Sequence, residues 1–582
     1  MIGAFDFQFV QNYIFATNKL KAMIGANRLL AKALRSQIPE NPRQGIPLDE
    51  TQKILFERLR ECEAALSSGR APDDPLANFS KGVLSASGGH FVVELGNEEA
   101  CAWERSTRAA LRRIAPGLFA SVVTSKSKLS EPFARVDEEL RQELGKKKFQ
   151  SNARAQAVPS FPYMRVCGFT GTDPAIKETA GRPTGQRALS MLEAGSDGIA
   201  AASSYDPAAF VESMVLKAQG GSVSLPDDFT QFFAPKEGRK QLAVIAIDGN
   251  DVGASLKRFQ KPLARASYLA SALACEGFFY RLRLLTRTAL ILALTSLNLS
   301  PIATKDVQGK PQKVLPLRLL MLGGDDALLV MRADQGMDFM LQFASYWDDL
   351  LGERPGCKAE TVRYRQWLEA WRDAYGPFTF KAGVAVVPHS HPFHAARDLA
   401  ADLEGSAKRA CRENNCNGVD WHALFASRRE PLSAIRDREY VRRYAIGEGD
   451  AAYRETLVLT RRPYPIFPVE TPGPSLQAHW TKAATLHKAN TLVDEAEGKG
   501  LARSKLKLLR SVLDQGREEA ELVIRELKAE STVAGQVFDG DAFTPSENGT
   551  FVTEALDIVE LVDLHTERDR AECGHMQSEG AI

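Results

Sequence analysis

The sequence predicts a mixed α/β fold followed by a helical module. A continuous apolar run, Leu242–Ile247, is bounded by turn residues and is typical of a strand buried on both faces. A second apolar run, Leu315–Leu322, enters a Gly-Gly-Asp-Asp turn, and Ala327–Met331 leaves that turn as another strand. Between Leu476 and Ala529, Ala, Leu, Lys and Glu recur at helical spacing, which predicts helices in the C-terminal part.

Composition narrows the class of protein. The chain has 582 residues, too many for one ordinary core, which predicts about three or four domains. Hydrophobic residues make up 44% and charged residues 25%, as in an average globular protein, which argues against a disordered or fibrous chain. Lys and Arg number 74 against 73 Asp and Glu, so the chain as a whole has almost no net charge that would attract nucleic acid. Nucleic acid could bind only in a local basic groove. The eight cysteines form no Cys-x-x-Cys pair, so neither a zinc ribbon nor a disulfide framework is indicated.

The location predicted from the sequence is the cytoplasm. The N-terminus, Met1–Phe7, lacks the basic start, apolar run and cleavage site of a secretory signal. The most apolar stretch, Thr288–Leu299, contains polar residues and is shorter than the roughly 20 apolar residues that a membrane-spanning helix needs. We interpret it as a buried helix and expect no membrane partner.

The first block of the chain is predicted to be an α/β unit. An apolar and aromatic segment, Ile2–Phe15, is followed by a helical stretch, Leu20–Leu34. The strand Phe91–Leu95 comes later, directly after Ser87-Gly-Gly-His90. A strand, a helix and a turn followed by a strand are the parts of a mixed α/β domain.

Beyond this block the sequence predicts a connector and then a second α/β domain. From Cys167 to about Lys240 the chain is rich in Gly, Pro and Ser, which indicates an irregular connector with one short helix, Pro207–Gln219. The second domain contains the three strands named at the start and is completed by helices and a further strand. These are the helices Val252–Leu297, Gly336–Leu351 and Ala359–Tyr375, the strand Phe378–Val387 and the closing helix Ala395–Arg412.

Three aspartates accompany the strands of the second domain. Asp248 ends the run Leu242–Ile247, and Asp325 and Asp326 lie in the Gly-Gly-Asp-Asp turn. An Asp-Asp pair in a turn commonly does no more than satisfy backbone donors. Here Gly323 and Gly324 precede the pair, and we expect them to supply the unusual backbone dihedrals of a tight hairpin. If the two strands are neighbours, the three carboxylates converge and cannot all stay ionised without cations.

These carboxylates predict a magnesium site. Mg²⁺ prefers oxygen ligands and shares its coordination sphere with substrate phosphates. A pair of such ions would activate a 3′-hydroxyl and stabilise a pyrophosphate leaving group. The predicted metal set is Asp248, Gly249, Asp325 and Asp326.

A nucleotide would bind beside the metal site. Backbone N–H groups at the start of the helix that follows Asp248 are expected to receive the triphosphate, because helix N-termini favour anions. A lysine on a helix is commonly only a solvated charge, but Lys408 on the closing helix would neutralise phosphate charge in the transition state. The predicted nucleotide-binding residues are Gly249, Asn250, Asp251, Val252, Gly253, Gly323, Gly324 and Lys408.

These motifs resemble the palm-domain nucleotidyl cyclases, which include the diguanylate cyclases with a Gly-Gly-Asp-Glu turn. More closely, the chain is similar to the large polymerase subunit of type III CRISPR interference complexes, which has two tandem palm domains. Asp248–Gly253 resembles that family's first metal station, and Gly323–Asp326 resembles its catalytic hairpin. Ala382–Val387, Ala407–Lys408 and Val419–Trp421 are similar to its closing strand and helix.

The N-terminal block is similar to the first palm of that family. Phe9–Phe15, Leu20 and Gly25–Leu30 resemble its opening strand and helix, and Ser87–Phe91 stands where a second Gly-Gly-Asp-Asp turn would be. His90 replaces the first Asp of that turn, and no strand-end pair accompanies it. This palm is therefore expected to be catalytically degenerate, with a structural role or as the holder of an acceptor nucleotide.

The resemblance implies two tandem ferredoxin-like palm domains. The implied division is a degenerate first palm (1–160), a linker domain (161–239), a catalytic second palm (240–430) and a mainly helical C-terminal domain (431–582). The implied activity is synthesis of cyclic oligonucleotides, cyclic oligoadenylates from ATP in particular, with Mg²⁺ or Mn²⁺ in antiviral defence. Subunits of a guide-RNA complex and target RNA are the implied partners, although a free-standing cyclase stays open. No His-Asp nuclease domain precedes the first palm, so DNA cleavage is expected to be absent.

Two other functions are compatible with these motifs. A catalytically silent, nucleotide-binding scaffold would keep the palms for assembly, but retained carboxylates are costly without a cation. A templated polymerase or diguanylate cyclase is the other alternative, and the sequence shows no finger and thumb modules that would frame a template.

His389, His391 and His394 look like a metal cluster, but they follow a strand and are interpreted as a structural or surface loop.

Overall fold

Strands and helices alternate along the N-terminal part of the chain in the computed structural model. The predicted helix Leu20–Leu34 and strand Phe91–Leu95 are confirmed to within one residue at each end. The structure describes residues 1–40, 45–66, 72–155, 165–220, 223–234, 237, 240–297, 299–305, 310–352, 362–424, 430–446, 453–467, 475–491 and 503–565. The predicted domain boundary at 160 and 161 therefore lies outside the described residues.

The first part of the chain builds one sheet, a hairpin and nine helices among the described residues up to Ala218. Its elements are β1 (Ile2–Gln8), α1 (Val10–Ile14), α2 (Leu20–Arg35), α3 (Glu50–Leu66), α4 (Pro75–Phe79), β2 (Val83–Ser87), β3 (His90–Glu94), α5 (Ala100–Ile114), β4 (Phe119–Ser125), α6 (Phe133–Ala155), β5 (Ala175–Thr179), β6 (Arg182–Gly185), α7 (Gln186–Gly195), α8 (Ile199–Ala202) and α9 (Pro207–Ala218).

The stretch that was predicted to be an irregular connector is more regular than expected. It contains the hairpin β5–β6 and three helices, of which only α9 was predicted. Helix α7 forms because it packs closely on α2, and glycines make that approach possible. A Cβ on Gly25 would lie 1.7 Å from the Met191 carbonyl oxygen, and one on Gly195 would lie 2.1 Å from the Lys21 carbonyl oxygen. Gly195 therefore serves helix packing, whereas Gly171 and Gly181 have φ of 69° and 72°, as in turns.

The middle of the chain carries the strands on which the predicted site depends. The long helix predicted over Val252–Leu297 is two helices, because Pro262 lies in a short 3₁₀ turn and Ser267 starts a new helix by accepting the Ala270 N–H. The elements are β7 (Gln241–Gly249), α10 (Val252–Gln260), α11 (Tyr268–Ser296), β8 (Ile302–Lys305), β9 (Pro311–Val314), β10 (Leu317–Leu322), β11 (Ala327–Arg332), α12 (Ala333–Leu351), α13 (Val362–Tyr375), β12 (Phe380–Pro388), α14 (Phe393–Asn414) and β13 (Asn417–Ala423).

The C-terminal part contains a small sheet besides the predicted helices. No described helix in the chain is long and apolar enough to cross a membrane. The residues 353–361, where one predicted helix was to begin, and 492–502, within the predicted helical stretch, lie outside the described residues. The elements are α15 (Leu432–Tyr440), β14 (Val441–Ile446), β15 (Tyr453–Val458), β16 (Tyr464–Phe467), α16 (Leu476–Thr491), α17 (Arg503–Val512), α18 (Arg517–Glu530), α19 (Thr532–Val537), β17 (Thr544–Pro545), β18 (Thr550–Val552) and α20 (555–565).

The sheets confirm a mixed α/β fold. The first sheet has the order β2-β3-β1-β4, with antiparallel neighbours throughout. A six-stranded sheet has the order β10-β11-β7-β12-β13-β16, and a third sheet has the order β14-β15-β18-β17. In chain order, β7, β10, β11 and β12 follow the same pattern as β1, β2, β3 and β4, since the third strand lies beside the first in both sheets.

The chain divides into two compact units. The first comprises Met1–Phe232, Asp251–Leu329 and Ser345–Phe378, and the second comprises Phe233–Asn250, Val330–Ala344 and Thr379–Ile582.

The first unit buries an ionic network on α11. Arg287 pairs with Glu63 at 2.9 Å and with Asp73, and Arg283 pairs with Glu276 at 2.6 Å. Arg283 also donates to the Ser87 hydroxyl at 2.8 Å, next to the β2–β3 turn. Paired in this way, charges can be buried in the core of the unit.

The second unit is organised by α14 on β12 and β13. A Cβ on Gly383 would lie 2.0 Å from the Ala400 carbonyl oxygen, and one on Gly418 would lie 2.7 Å from the Cys411 sulfur. The two glycines let the helix lie directly on the strands. This close packing fixes the helix that carries Glu404 and Lys408.

Candidate metal and nucleotide site

Asp248 is a partly exposed carboxylate at the end of a buried strand. Every other residue of β7 is buried, whereas the Asp248 side chain is 37% exposed. β7 pairs with β12 in antiparallel register, and Lys381 of β12 is the direct partner of Asp248. Side chains of directly paired residues lie on the same face of a sheet, so the carboxylate and the ammonium group meet there.

Lys381 links Asp248 to the closing helix. Its Nζ donates to the Asp248 carboxylate and lies 3.3 Å from Glu404 Oε1 on α14. Burial alone would lower the pKa of Lys381, but the hydrogen bond to Asp248 and the charges of Asp248 and Glu404 raise that pKa above its ordinary value. The ammonium group therefore stays charged and holds the Asp248 carboxylate on β7 and the Glu404 carboxylate on α14 in place.

The residues after Asp248 form a helix start without a side-chain cap. Asn250 is 7% exposed, and its Nδ2 donates to Thr379 Oγ1 at 3.0 Å while its Oδ1 is buried without a partner among the described residues. Asp251 adopts the left-handed conformation with φ 49° and makes no side-chain capping bond. A Cβ on Gly253 would meet open space. The backbone N–H groups of Val252 and Gly253 therefore have no side-chain cap, whereas those of Ala254 and Ser255 donate to the Asp251 carbonyl oxygen.

The turn between β10 and β11 is shaped by a close contact, not by unusual dihedrals. Neither Gly323 nor Gly324 has φ in the left-handed region, so that prediction is wrong. The Gly323 N–H donates to the Asp326 carbonyl oxygen at 2.8 Å. A Cβ on Gly323 would lie 1.7 Å from Asp326 Oδ1, so only glycine leaves the carboxylate in this position, where it turns back over the residue. Asp325 and Asp326 are both half-buried.

Lys408 lies on α14, four residues after Glu404. Its side chain is half-buried, and no ion pair engages it within the described ranges. Residues four apart share one face of a helix, so Lys408 follows Glu404 along the same face. Lys408 thus adds a positive charge to the helix that the sequence singled out.

No group of three or more His, Cys, Asp or Glu side chains is arranged to hold a metal ion in the described part of the chain. Asp248 is engaged by Lys381, and Asp326 is folded over Gly323. The metal and nucleotide residues named from the sequence remain predictions.

The histidine loop contributes to packing in the second unit. His389 donates its backbone N–H to the Lys240 carbonyl oxygen at 3.0 Å, and its ring meets Phe233 edge-on at 5.9 Å. His391 is 7% exposed, and burial together with the neighbouring His394 lowers its pKa. The three side chains form no metal cluster among the described residues.

The first sheet carries a strand-end carboxylate that the sequence reasoning missed. The turn before β3 is the tight one, with Gly88 at φ 60° and Gly89 at φ 83°. His90 follows it as the first residue of β3 and is the direct partner of Asp6 on β1. Asp6 is the only exposed residue of β1. A polar residue in an apolar strand was the signal that could have identified it.

Lys381 was also missed, although the sequence signals it. It stands in Phe380-Lys-Ala-Gly-Val, where every neighbour is apolar or glycine and is buried in the structure. A lysine in a buried strand requires a charged partner. That requirement pointed to a carboxylate on a neighbouring strand, which is Asp248.

No protein-family model and no curated protein matches the chain. Solved structures of Csm1-Csm4 cassettes do match it. A crystal structure in complex with pppApA is 13% identical over 97% of this chain and 69% of that chain, with a TM-score of 0.41. A structure in complex with cA4 is 13% identical over 97% of this chain and 69% of that chain, with a TM-score of 0.38. The Csm1-Csm4 subcomplex in the type III-A CRISPR-Csm interference complex is 13% identical over 96% of this chain and 69% of that chain, with a TM-score of 0.37. Scores in this range describe a partial likeness and assign no chemistry to individual residues.

Proposed function

We propose that the protein is a metal-dependent nucleotidyltransferase that joins nucleoside triphosphates into a cyclic oligonucleotide. ATP is the proposed substrate and a cyclic oligoadenylate the proposed product, made in the cytoplasm for antiviral defence. The observation that carries the proposal is Asp248, a partly exposed carboxylate at the end of a buried strand, with an uncapped helix start three residues later. A carboxylate beside an open set of backbone N–H groups is suited to a metal-bound phosphate.

The oxygen donors of the chain fit Mg²⁺ or Mn²⁺. Asp248, Asp325 and Asp326 offer carboxylate oxygens; Asp248 is the penultimate residue of β7, and the other two lie between β10 and β11 of the six-stranded sheet. Asn250 Oδ1 adds a buried amide oxygen without a partner among the described residues. The proposed ligands are these aspartates with the main chain of Gly249. Bound ions would supply charge stabilisation at the phosphates and activation of the attacking hydroxyl.

The remaining tasks fall to other residues of the chain. The N–H groups of Val252 and Gly253, at the start of α10, bind phosphate oxygens in this proposal, because Asp251 leaves them uncapped. Lys408 adds positive charge where negative charge grows on the phosphates. Lys381 positions the Asp248 carboxylate through their ion pair.

The proposal includes two palm domains, 1–160 and 240–430, joined by 161–239 and followed by 431–582. It is supported by the strand patterns, since β1 to β4 run in the β-α-β-β-α-β sequence of a ferredoxin-like fold. β7, β10, β11 and β12 repeat the same strand order. The resemblance to the large subunit of type III CRISPR complexes adds guide-RNA complex subunits and target RNA as proposed partners.

A second candidate is a nucleotide-binding scaffold without catalysis. It is favoured by the Lys381 ammonium group, which already neutralises the Asp248 carboxylate. A scaffold would bind nucleoside triphosphates and release no pyrophosphate.

One experiment separates the two candidates. The purified chain is given Mn²⁺ or Mg²⁺ with each labelled nucleoside triphosphate, with and without target RNA and its complex subunits, and pyrophosphate release is measured. The cyclase proposal predicts release that is lost in Asp325→Ala with Asp326→Ala. The matched control is Asp539→Ala with Asp541→Ala, which removes two exposed carboxylates of the C-terminal part and keeps the activity. Unchanged release in the first double variant would remove these aspartates from the site.

A further inference from the structure

Four polar side chains share one face of the first sheet. Asp6 and Gln8 are two residues apart on β1, so they point to the same side. Asp6 is paired directly with His90 of β3 and with Ser121 of β4. Directly paired residues also share a face, so a carboxylate, an amide, an imidazole and a hydroxyl group meet there. The rest of β1 is apolar and buried.

Gln8 leaves an oxygen atom unused inside this cluster. The side chain is 4% exposed, and its Nε2 donates to the Ser121 hydroxyl. Its Oε1 is buried and accepts no hydrogen bond from the described residues. A buried acceptor without a partner costs about 1 to 3 kcal/mol, so its retention indicates a ligand that it meets.

The second unit repeats the arrangement around Asn250. There, too, the amide donates to a hydroxyl group, that of Thr379, and keeps a buried oxygen without a described partner. Each amide precedes a residue with left-handed backbone that starts a helix, Phe9 at φ 53° and Asp251 at φ 49°. Two residues before each amide stands an aspartate, Asp6 in one case and Asp248 in the other. Asp6 is thus the counterpart of Asp248.

The two aspartates differ in their neighbours. Opposite Asp248 stands Lys381, which neutralises it, whereas opposite Asp6 stands Ser121, which carries no charge. The other direct partner of Asp6 is the imidazole of His90. The carboxylate of Asp6 therefore has a metal-binding side chain beside it in place of a lysine.

Helix α6 brings three more charges toward this face. Arg141 is already paired with Asp137 at 2.8 Å, so these two charges compensate each other. Lys148 acts on Asp6 but is exposed, and an exposed charge is screened by salt. The cluster of Asp6, Gln8, His90 and Ser121 therefore retains the negative charge of Asp6, which attracts a cation.

We propose that Asp6, His90 and Gln8 Oε1 bind one divalent cation that is distinct from the ions of the proposed active site. A carboxylate, an imidazole and an amide oxygen together suit Mn²⁺ or Zn²⁺ better than Mg²⁺, which takes oxygen ligands alone. Water molecules or a bound anion complete the coordination sphere.

Mn²⁺ is the probe, because its electron paramagnetic resonance signal counts bound ions and detects a coordinated nitrogen. The metal-stripped full chain is titrated with Mn²⁺, alongside Asp6→Asn, His90→Ala and the double variant Asp325→Ala with Asp326→Ala. The expected result is one bound ion with a nitrogen coupling, which weakens at least about tenfold in Asp6→Asn and loses the coupling in His90→Ala. This ion stays bound in the double variant.

Two results would overturn the inference. One is a nitrogen-coupled ion with unchanged affinity in both Asp6→Asn and His90→Ala, and the other is the absence of any nitrogen-coupled ion in the native chain. Thermal unfolding of each variant shows that it is folded, and His389→Asn controls for loss of an unrelated histidine. Pyrophosphate release is measured separately, so failure of this site and failure of the proposed catalytic site give different results.

Discussion

Replacing Gly323 by alanine tests whether the Asp326 carboxylate must keep the place that the turn gives it. An added Cβ would lie 1.7 Å from Asp326 Oδ1 and 2.8 Å from its Cγ. Real Cβ atoms essentially never come closer than 3.0 Å to another heavy atom. The oxygen must therefore move by at least 1.3 Å, which is 3.0 minus 1.7.

The displacement is large enough to disable a catalytic ligand. A misplacement of about 1 Å in a catalytic site costs about 100-fold in rate. That factor corresponds to about 2.7 kcal/mol of lost transition-state stabilisation. The stability of the fold should change by less than about 1 kcal/mol, because Asp326 is half-buried and its carboxylate is the far end of a flexible side chain that can move.

The assay is pyrophosphate release from ATP with Mn²⁺ by Gly323→Ala, together with its thermal unfolding. Gly145→Ala on α6 is the matched control, since a Cβ there meets nothing within 4 Å, its φ is not in the left-handed region and it lies outside the proposed site. We expect Gly145→Ala to keep its activity and Gly323→Ala to lose about 100-fold at nearly unchanged stability. Equal activity in the two variants would refute the reasoning that Asp326 serves as a ligand.

Two further predictions concern the second unit. Burial would raise the pKa of Glu554, but His479, whose Nε2 lies 3.3 Å from the carboxylate, and Lys482, which donates to it at 3.0 Å, lower this pKa to about 2. The stabilisation is present above the unfolded-state pKa and is lost as the pH falls through about 2. Glu554→Gln should lower the free energy of unfolding at pH 7 by up to about 3 kcal/mol. Urea titrations should show that the difference in this free energy between the native chain and the variant shrinks below pH 4.5. A difference independent of pH would contradict this. Gly383→Ala places a Cβ 2.0 Å from the Ala400 carbonyl oxygen and should lose about 3 kcal/mol in thermal unfolding, whereas Gly405→Ala, on the open side of α14, should gain about 0.5 to 1 kcal/mol. Similar melting temperatures for these two variants would contradict the packing described for α14.

The buried strands of the second α/β domain were the most predictable part of the fold. A half-exposed strand alternates apolar and polar residues, whereas these strands contain longer apolar runs. β7, β10 and β11 lie within two residues of the predicted bounds. The break between α10 and α11 was missed because apolar residues continue through it, although Pro262 marks it. The C-terminal sheet was missed because arginine and glutamate interrupt the apolar residues of β14 and β15.

The candidate site was predictable in its residue types and not in its contacts. Aspartates beside apolar strands can be read from sequence, but the pairing of Lys381 with Asp248 depends on the register of β7 and β12. Likewise, the partnership of Asp6 with His90 depends on two segments more than eighty residues apart. Register is set by packing across the whole sheet, and a local pattern does not contain it.

In the proposed reaction, this chain makes phosphodiester bonds between nucleotides with Asp325 and Asp326 as metal ligands. The most direct measurement is mass spectrometry of the products formed from ATP with Mn²⁺, by the native chain and by Asp325→Ala with Asp326→Ala, in the presence of target RNA and its complex subunits. A cyclic product built of AMP units is expected in the first reaction and unreacted ATP in the second. ATP recovered intact from the native chain, or the same product from the double variant, would contradict it.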